Sequence, residues 1–410
     1  MAKLTGVAVH RLEGGLGIKN PAADGTVALI ASLPSLNGLK VKNYEANKLL
    51  QLSDAETLGI NAAYDANQKT LVHHHLSEIF RLAPEAVVYL IPTEKSKKLS
   101  AVLPQVLPAL RANQDIKGLG CIGFADTGAE LKTLAEKVQT DVVEKLGDEN
   151  RLIDFVLLEG KAAATPVSVT NLPDLRSLTA PQVSVIFGHD PAIAKLDAAY
   201  KLYAAIGSAL GMLAVRKVNE NIGSVRIQNP PADSRIRSDY PLTDTAKGRW
   251  LSASLSDGTP MQNLSKTDLK TLTDKGYIYA AAYEGYGGIF FSHSPTCTTK
   301  TSDYGYIENN RTWNKAARLV RQTLLPEVKG VVQKDPQTGF IKSTTISYWQ
   351  GLLNRALEQM VIGEEISGFR AFIDHRQSIR PEHSLKVKIH IVKDEIAFEF
   401  EVDLGYTQKL

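Results

Sequence analysis

The stretch LKVKIHIVKDEIAFEFEVDLGYTQKL, residues 385–410, contains two runs in which apolar and polar residues alternate strictly. The polar residues of the first run are basic, and those of the second run are acidic. This alternation of β-branched and aromatic residues with polar ones predicts two half-buried strands, over 385–392 and 396–404. Their opposite charges suit strands that lie side by side. The link at 392–395 contains no Gly and no Asn-Gly or Asp-Gly pair, so it is a poor turn for a hairpin.

Length and composition place the chain among soluble globular proteins. Its 410 residues, 43% hydrophobic and 22% charged, predict two or three domains. The formal charge of +3 gives no reason to expect nucleic acid as a partner. Two cysteines are too few for a disulfide framework, and the apolar surroundings of Cys121 predict a buried thiol. Without a signal-peptide core or a long apolar run, we expect cytoplasmic assembly and no membrane insertion.

The pattern of strands and helices divides the chain into five parts. Alternating strand and helix patterns over 26–218 predict an α/β domain with a largely parallel sheet. Residues 1–25 form an N-terminal arm and linker, and 219–263 a loop-rich connection. An α+β domain is predicted over 264–395, followed by a C-terminal arm at 396–410. The fold expected is therefore an α/β middle domain plus an α+β C-terminal domain, with extended strand arms at both ends.

Individual elements can be read within these parts. One helix is expected over 63–83 and a long helical region over 191–218. Ser265 and Asp268 have the spacing of a helix N-terminal capping box, and Gly276 marks the end of that helix. A strand pair with a Gly-rich bend follows, and then two long helices over about 310–325 and 346–362.

Candidate catalytic and ligand-binding residues fail on spacing. His73, His74 and His75 are consecutive and point about 100° apart on a helix, so they cannot jointly chelate one ion. The Ser292-His293-Ser294 run lacks a nucleophile elbow, and no Gly-rich turn matches a dinucleotide or phosphate loop. We therefore predict no catalytic, cofactor-binding or metal-binding residue. Gly207 and Gly211 indicate close helix packing instead.

The first long helix carries four basic residues at helical spacing and no acidic residue before Glu327. Steps of three and four residues place them on one ridge. One interpretation is a solvated face, and the other is a stripe that meets an acidic protein surface. The four residues of this basic ridge are Arg311, Lys315, Arg318 and Arg321.

Residues 264–410 resemble the contractile tail sheath proteins of phages, tailocins and contractile injection systems. The order and spacing of several passages carry this resemblance. They are LSKTDLKTLTDKGYIYAAAYEGYGGIFFSHSPT, YIENNRTWNKAARLVRQTLL, YWQGLLNRALEQMVIGEEISGFRAFID, and the two closing strands. Upstream, AAYKLYAAIGSALGMLAVRKVNENIGSV is similar to the small-residue helix that closes the middle domain of that family.

The resemblance implies a structural subunit without enzymatic activity or cofactor. Its partners would be further copies in stacked rings, an inner tube protein, and baseplate and tail-terminator proteins. It implies that 385–392 pairs with 367–374 in its own domain, whereas 4–10 and 396–404 cross to neighbouring subunits. The interface residues would be Leu4, Val7, Val9, Lys386, Lys388, Ile396, Phe398, Glu399, Phe400, Glu401 and Val402. Lys386 and Lys388 would face Glu399 and Glu401 of another copy, and the basic ridge would face the tube.

Two other functions fit the sequence less well. An α/β hydrolase-like enzyme could use His189 and Asp190, which follow a predicted strand. A static self-assembling filament or shell protein could use the same strand exchange without contraction. Which particle the subunit belongs to, phage tail, tailocin or cellular injection system, does not follow from the sequence.

Overall fold

The computed structural model describes residues 24–95, 97–126, 128–161, 168–231, 239–377 and 384–406. The strands are β1 Thr26–Leu33, β2 Asn47–Leu49, β3 Val87–Glu94, β4 Gly118–Ile122, β5 Phe155–Glu159, β6 Val183–Ile186, β7 Gly188–His189, β8 Ser254–Leu255, β9 Tyr277–Ile278, β10 Ala280–Ala282, β11 Ile289–Phe291, β12 Gly368–Ile373 and β13 Val387–Val392. The α-helices are α1 Leu52–Thr57, α2 Ala62–Gln68, α3 Val72–Leu82, α4 Leu99–Ala112, α5 Leu131–Val138, α6 Lys145–Asp148, α7 Pro191–Ala194, α8 Ile206–Val215, α9 Lys266–Asp274, α10 Ile307–Leu324 and α11 Ser343–Ile362.

A seven-stranded sheet forms the centre of the α/β domain, in the order β2-β3-β1-β4-β5-β6-β9. All neighbouring strands are parallel except β2, which runs antiparallel to β3 at one edge. Helices α3 and α8 pack on one face and α4 and α5 on the other, each over its own apolar core. Burial on both faces explains why the strands read as continuous apolar runs. The prediction of a mixed α/β fold with a largely parallel sheet is confirmed.

Small residues allow α8 to approach α3 closely. A Cβ atom at Gly207 would lie 2.4 Å from the carbonyl oxygen of His75, and one at Gly211 would lie 3.1 Å from the Cα of Ile79. Neither position can carry a larger side chain without displacing backbone. The packing role predicted for these two glycines is therefore confirmed.

Two predicted helices are interrupted in the structure. The region 63–83 forms α2 and α3, separated at Lys69, whose φ of 53° is left-handed. The Asp65 carboxylate accepts hydrogen bonds from the backbone N–H groups of His73 and His74, which gives α3 its own N-terminal cap. The region 191–218 forms only α7, a short 3₁₀ turn and α8. Asp197 caps that turn, and local side-chain capping of this kind competes with a continuous helix.

Strand pairing and core packing run across the boundary predicted at residue 264. Strand β9 pairs in parallel with β6, and both of its residues are buried in the main sheet. Helix α9 begins at the predicted cap, with Ser265 and Asp268 forming a capping box. Both elements belong to the α/β domain, because strand pairing rather than local pattern decides membership of a sheet. The C-terminal domain starts with α10.

The C-terminal domain consists of α10, α11 and the antiparallel pair β12–β13. The pairing runs from Gly368 opposite Val392 to Ile373 opposite Val387, as predicted for these two segments. One face of the pair packs on the two helices over small apolar clusters. Their buried members on α11 are Ile346, Trp349, Leu353, Leu357 and Met360.

Candidate functional site

The two-stranded sheet of the C-terminal domain has open edges. Among the described residues, no third strand pairs with the outer edge of β12 or of β13. Val387, Ile389 and Ile391 point toward the helices but are only half-buried. Such an edge presents unpaired backbone groups and invites another strand. On the opposite face, Lys386 and Lys388 are exposed.

Residues 396–406, here called the C-terminal segment, leave this sheet without pairing to any described strand. Four of its large side chains are exposed, with Phe398 at 57%, Phe400 at 83%, Val402 at 77% and Leu404 at 95%. A row of exposed apolar residues of this size marks an interaction site. The strand predicted here does not form within a single chain. The expectation that 392–395 makes no hairpin is met.

Hydrogen bonds fix the point where the C-terminal segment departs. The Asp394 carboxylate accepts from Ser367 Oγ at 2.6 Å and from Asn219 Nδ2 at 2.8 Å. Farther along, the Phe398 ring lies against Tyr306, with 5.3 Å between ring centroids. The Arg176 guanidinium lies 5.2 Å from the centroid of that Tyr306 ring. These contacts direct the chain away from β13 and toward the start of α10.

The basic ridge faces the α/β domain. Arg311 is only 1% exposed and donates hydrogen bonds to the backbone carbonyls of Arg216 and Lys217. Arg318 pairs with the carboxylate of Asp154 at 2.8 Å. Arg311 and Arg318, which were expected to face a tube, are therefore engaged by the α/β domain. Their partners lie far away in the sequence, so helical spacing alone could not reveal them.

Lys315, the second residue of the ridge, is shared between two carboxylates. Its Nζ lies 2.6 Å from Asp24 Oδ2 and 2.5 Å from Glu365 Oε1. Burial would raise the pKa of Asp24, but the charge and hydrogen bond of Lys315 hold it below its ordinary value. Lys315, which was also expected to face a tube, is thus paired within the chain, and of the four ridge residues only Arg321 is exposed.

Helix α10 thus crosses the end of the sheet at which the parallel strands begin. Asp24 precedes β1, Asp154 precedes β5, and Pro181, whose carbonyl accepts from Asn310 Nδ2 at 2.8 Å, precedes β6. Asn314 donates to Asp154 at 2.9 Å. This polar seam joins the C-terminal domain to the α/β domain. The residues Leu4, Val7 and Val9, predicted to take part in an interface, lie outside the described residues.

The residues proposed for a hydrolase-like site serve the fold. His189 stacks on Tyr203 with ring centroids 4.9 Å apart, and its Nδ1 lies 2.9 Å from the carbonyl oxygen of Tyr203. Asp190 accepts hydrogen bonds from the backbone N–H groups of Ala192 and Trp250. Both side chains are buried and engaged. This arrangement gives neither residue access to a substrate.

The place where an open α/β sheet usually binds ligands is lined by a carboxylate that is already paired within the chain. A cavity of about 440 Å³ opens beyond the carboxyl ends of β1 and β4, between which the strand order reverses. There the Glu159 carboxylate accepts from the backbone N–H of Gly123 at 2.8 Å and lies 3.2 Å from Lys161 Nζ. An internal carboxylate thus takes the donors that an anionic ligand would need.

The consecutive histidines also have structural partners. His75 Nδ1 accepts from the backbone N–H of Gly207 at 3.0 Å, and His73 Nε2 lies 3.2 Å from Glu56. Burial lowers the pKa of His74 to about 4 and that of His75 to about 3. The described part of the chain contains no cluster of three side chains suited to hold a metal ion. Nor is any of its helices both long and apolar enough to span a bilayer.

Comparison with known proteins identifies the family. The family model described as DUF2586, N-terminal domain, matches residues 4–295, and that of the DUF2586 C-terminal domain matches 303–410. The chain belongs to the DUF2586 family. The division between these two matches, at 296–302, lies a few residues before the start of α10 at Ile307. No curated protein sequence matches the chain.

Solved structures that are similar to this chain include sheath proteins of contractile particles. A chain of the anti-feeding prophage baseplate shares 14% identity, with a TM-score of 0.59 and 100% of both chains covered. The sheath complex of the extracellular contractile injection system PVC, in its contracted state, shares 13% identity, with a TM-score of 0.59 and coverage of 100% and 98%. The sheath tail protein of Listeria innocua shares 10%, with a TM-score of 0.52 and coverage of 92% and 96%. The DUF2586 chain therefore has the sheath-protein fold across its length.

Proposed function

We propose that this protein is the subunit of a contractile tail sheath. It polymerises around an inner tube by strand exchange between subunits, and it contracts to drive the tube through a target envelope. One observation carries the proposal. In a chain with the sheath-protein fold, the C-terminal segment is exposed and unpaired beside a two-stranded sheet with open edges. Each subunit then supplies the strand that its neighbour lacks.

The chemistry of the two surfaces supports this exchange. A C-terminal segment added beside β13 would place Phe398, Phe400 and Val402 over the half-buried apolar row of that strand. Its acidic side chains would then lie beside the exposed lysines of β13. Opposite charges on adjacent strands stabilise pairing and fix its register.

The apolar side chains of the C-terminal segment offset much of the cost of association. Burying each large apolar side chain contributes about 1.5–3 kcal/mol. Four such residues contribute roughly 6–12 kcal/mol, within the range of about 4–15 kcal/mol that association costs in lost freedom. Backbone hydrogen bonds along the added strand provide the remainder. A strand of about nine residues spans about 30 Å, enough to reach a neighbouring subunit.

The wider assembly follows from the same proposal. Residues 4–10, including Leu4, Val7 and Val9, form a second connection to another subunit. Stacked rings surround the inner tube and attach to baseplate and tail-terminator proteins, after assembly in the bacterial cytoplasm. The polymer stores the energy for contraction, and the bodies rotate while their connections persist. Arg321, the exposed member of the basic ridge, remains available to an acidic tube surface.

A structural rather than an enzymatic role fits the engaged state of the polar residues. His189 and Asp190 are buried in the fold, and Glu159 accepts a hydrogen bond from the backbone N–H of Gly123 beside the cavity at the carboxyl ends of β1 and β4. The proposal therefore assigns no substrate, cofactor or metal to this chain.

Charge reversal with compensation tests the exchange. Lys386→Glu with Lys388→Glu gives an acidic sheet beside an acidic segment, and Glu399→Lys with Glu401→Lys gives two basic surfaces. We expect neither variant to form sheath-like tubes in electron micrographs, because like charges on neighbouring strands repel. The chain with all four substitutions restores opposite charges and should form tubes again.

A control variant separates this pairing from a general change of charge. Lys40→Glu with Lys42→Glu changes the net charge as much as Lys386→Glu with Lys388→Glu does, but at exposed lysines of the α/β domain. This control should polymerise like the parent chain. Polymerisation of both uncompensated variants, or failure of the fourfold variant to recover, would argue against the proposed pairing.

A further inference from the structure

Lys315 joins the two places where the proposed connections leave the body of the subunit. Asp24 directly follows residues 1–23, which contain the proposed N-terminal connection. Glu365 lies two residues before Ser367, whose hydroxyl holds Asp394 at the origin of the C-terminal segment. The Lys315 ammonium contacts both Asp24 and Glu365. One side chain thus links the root of each connection.

The segment that leads into β12, next to the origin of the C-terminal connection, is held at three consecutive residues. Lys217 Nζ donates to the carbonyl of Gly363 at 2.8 Å, and Asn219 Nδ2 donates to the carbonyl of Glu364 at 2.9 Å. Lys315 completes the series at the Glu365 side chain. Lys217 and Asn219 come from the α/β domain, so this short segment is fixed to the body before it enters β12.

Burial makes the shared ammonium important. The side chain of Glu365 is 10% exposed, that of Lys315 is 23% exposed and that of Asp24 is 28% exposed. Ionic groups in such partly desolvated positions interact more strongly than surface pairs. An ammonium has three donors and can satisfy two carboxylates together. Without it, two neighbouring carboxylates would lose their common counter-charge.

We propose that Lys315 is a positioning residue that anchors the roots of both connections at one point of the subunit. This inference rests on the proposed function, because it takes residues 1–23 and 396–406 as links to neighbours. A displacement of one root is then transmitted to the other through the Lys315 ammonium. In a contracting polymer, both links of a subunit turn about the same point instead of moving independently.

Hydrogen exchange of the purified, unassembled chain tests the anchor. We compare the parent with Lys315→Met, which keeps the aliphatic length and removes the ammonium, and with Lys315→Arg, which keeps the charge. Exchange should accelerate in Lys315→Met by about tenfold at both roots, near 24–27 and near 365–367 and 392–395. Lys315→Arg should retain the slow exchange at both. Lys270→Met, which removes an exposed lysine paired with Asp274, should alter neither root.

Two outcomes would overturn the anchor. One is faster exchange at a single root in Lys315→Met, and the other is an equal loss of protection in Lys315→Arg. Glu365→Gln provides a second variant for the case in which Lys315→Met does not fold. It leaves Lys315 with one carboxylate, so exchange should also rise near 24–27, and an unchanged rate there would contradict the coupling. Because the chain is unassembled, these results are independent of whether it forms a sheath.

Discussion

Asn219 donates its side-chain amide to the carboxylate of Asp394 over 2.8 Å, although 175 residues separate the two in sequence. The same amide group donates to the backbone carbonyl of Glu364. Asp394 therefore belongs to the junction between the two domains and does not form part of a turn. This relationship explains why 392–395 lacks turn residues. The link stops at a fixed point on the body, and the C-terminal segment continues from there.

Removing this fixed point should free the segment without unfolding the protein. In Asp394→Ala, Ser367 and Asn219 lose the hydrogen bonds that hold the segment locally on the body of the subunit. Limited proteolysis should cleave the variant several times faster after residue 392, at an almost unchanged melting temperature. Glu395→Ala, which removes an exposed partner of Lys393, serves as the control. Equal cleavage rates in parent and variant would rule out this role of Asp394.

The polar seam beneath α10 should be important for global stability. Asp154 is 1% exposed and accepts from Arg318 and Asn314, so Asp154→Asn leaves a partly buried guanidinium without its counter-charge. We expect a loss of about 3 kcal/mol in the free energy of unfolding, measured in urea. Arg321→Ala, at the exposed end of the same ridge, should change it by less than about 0.5 kcal/mol. Similar effects for the two variants would contradict the seam.

Substitution by alanine should change the stability of the protein in opposite directions at two glycines. A Cβ at Gly207 would lie 2.4 Å from a backbone oxygen of α3, so Gly207→Ala should cost about 1–3 kcal/mol. A Cβ at Gly351 in α11 meets no atom within 4 Å, so Gly351→Ala should stabilise by about 0.5–1 kcal/mol. Thermal unfolding measures both. An unchanged stability of Gly207→Ala would mean that α8 and α3 are not in this close contact.

Acid should destabilise the protein through its buried histidines. Burial lowers the pKa of His75 from 6.5 to about 3 in the folded state. The unfolded chain therefore binds the proton first, and stability falls as the pH decreases from 6.5 toward 3. At pH 5 this residue alone accounts for about 2 kcal/mol. Urea unfolding at pH 7.5 and at pH 5 gives the free energy of unfolding at each pH. The difference between these two free energies should be smaller in His75→Asn than in the parent. An identical difference would exclude His75 as a source.

Local chemistry made much of the fold predictable. The capping box at Ser265, the alternation of β13 and the apolar strands of the sheet each follow from neighbouring residues. The interruptions of the two helices were harder to predict from the sequence, because Asp65 caps α3 from seven or more residues away in sequence. No local signal could place β9 in the main sheet, since its pairing partner β6 lies some ninety residues earlier.

The candidate site also has features that the sequence predicts and features that it does not. The alternating charges of 385–404 are visible in the sequence, and so is the missing turn. The partners of the basic ridge are not, because Asp24, Asp154 and Glu365 come from three different parts of the chain. Four basic residues on one helix face indicate a need for counter-charge. They do not tell whether that charge comes from another protein or from the same chain.

Negative-stain electron microscopy of the full chain and of a variant ending at residue 395, each co-expressed with a candidate inner tube protein, tests the central claim most directly. We expect hollow sheaths around tubes for the full chain. The shortened chain should be folded, by its unchanged melting temperature, and should remain unpolymerised. Sheaths of normal length from the shortened chain would contradict strand exchange by 396–406. A monomeric full chain beside bare tubes would contradict the sheath itself.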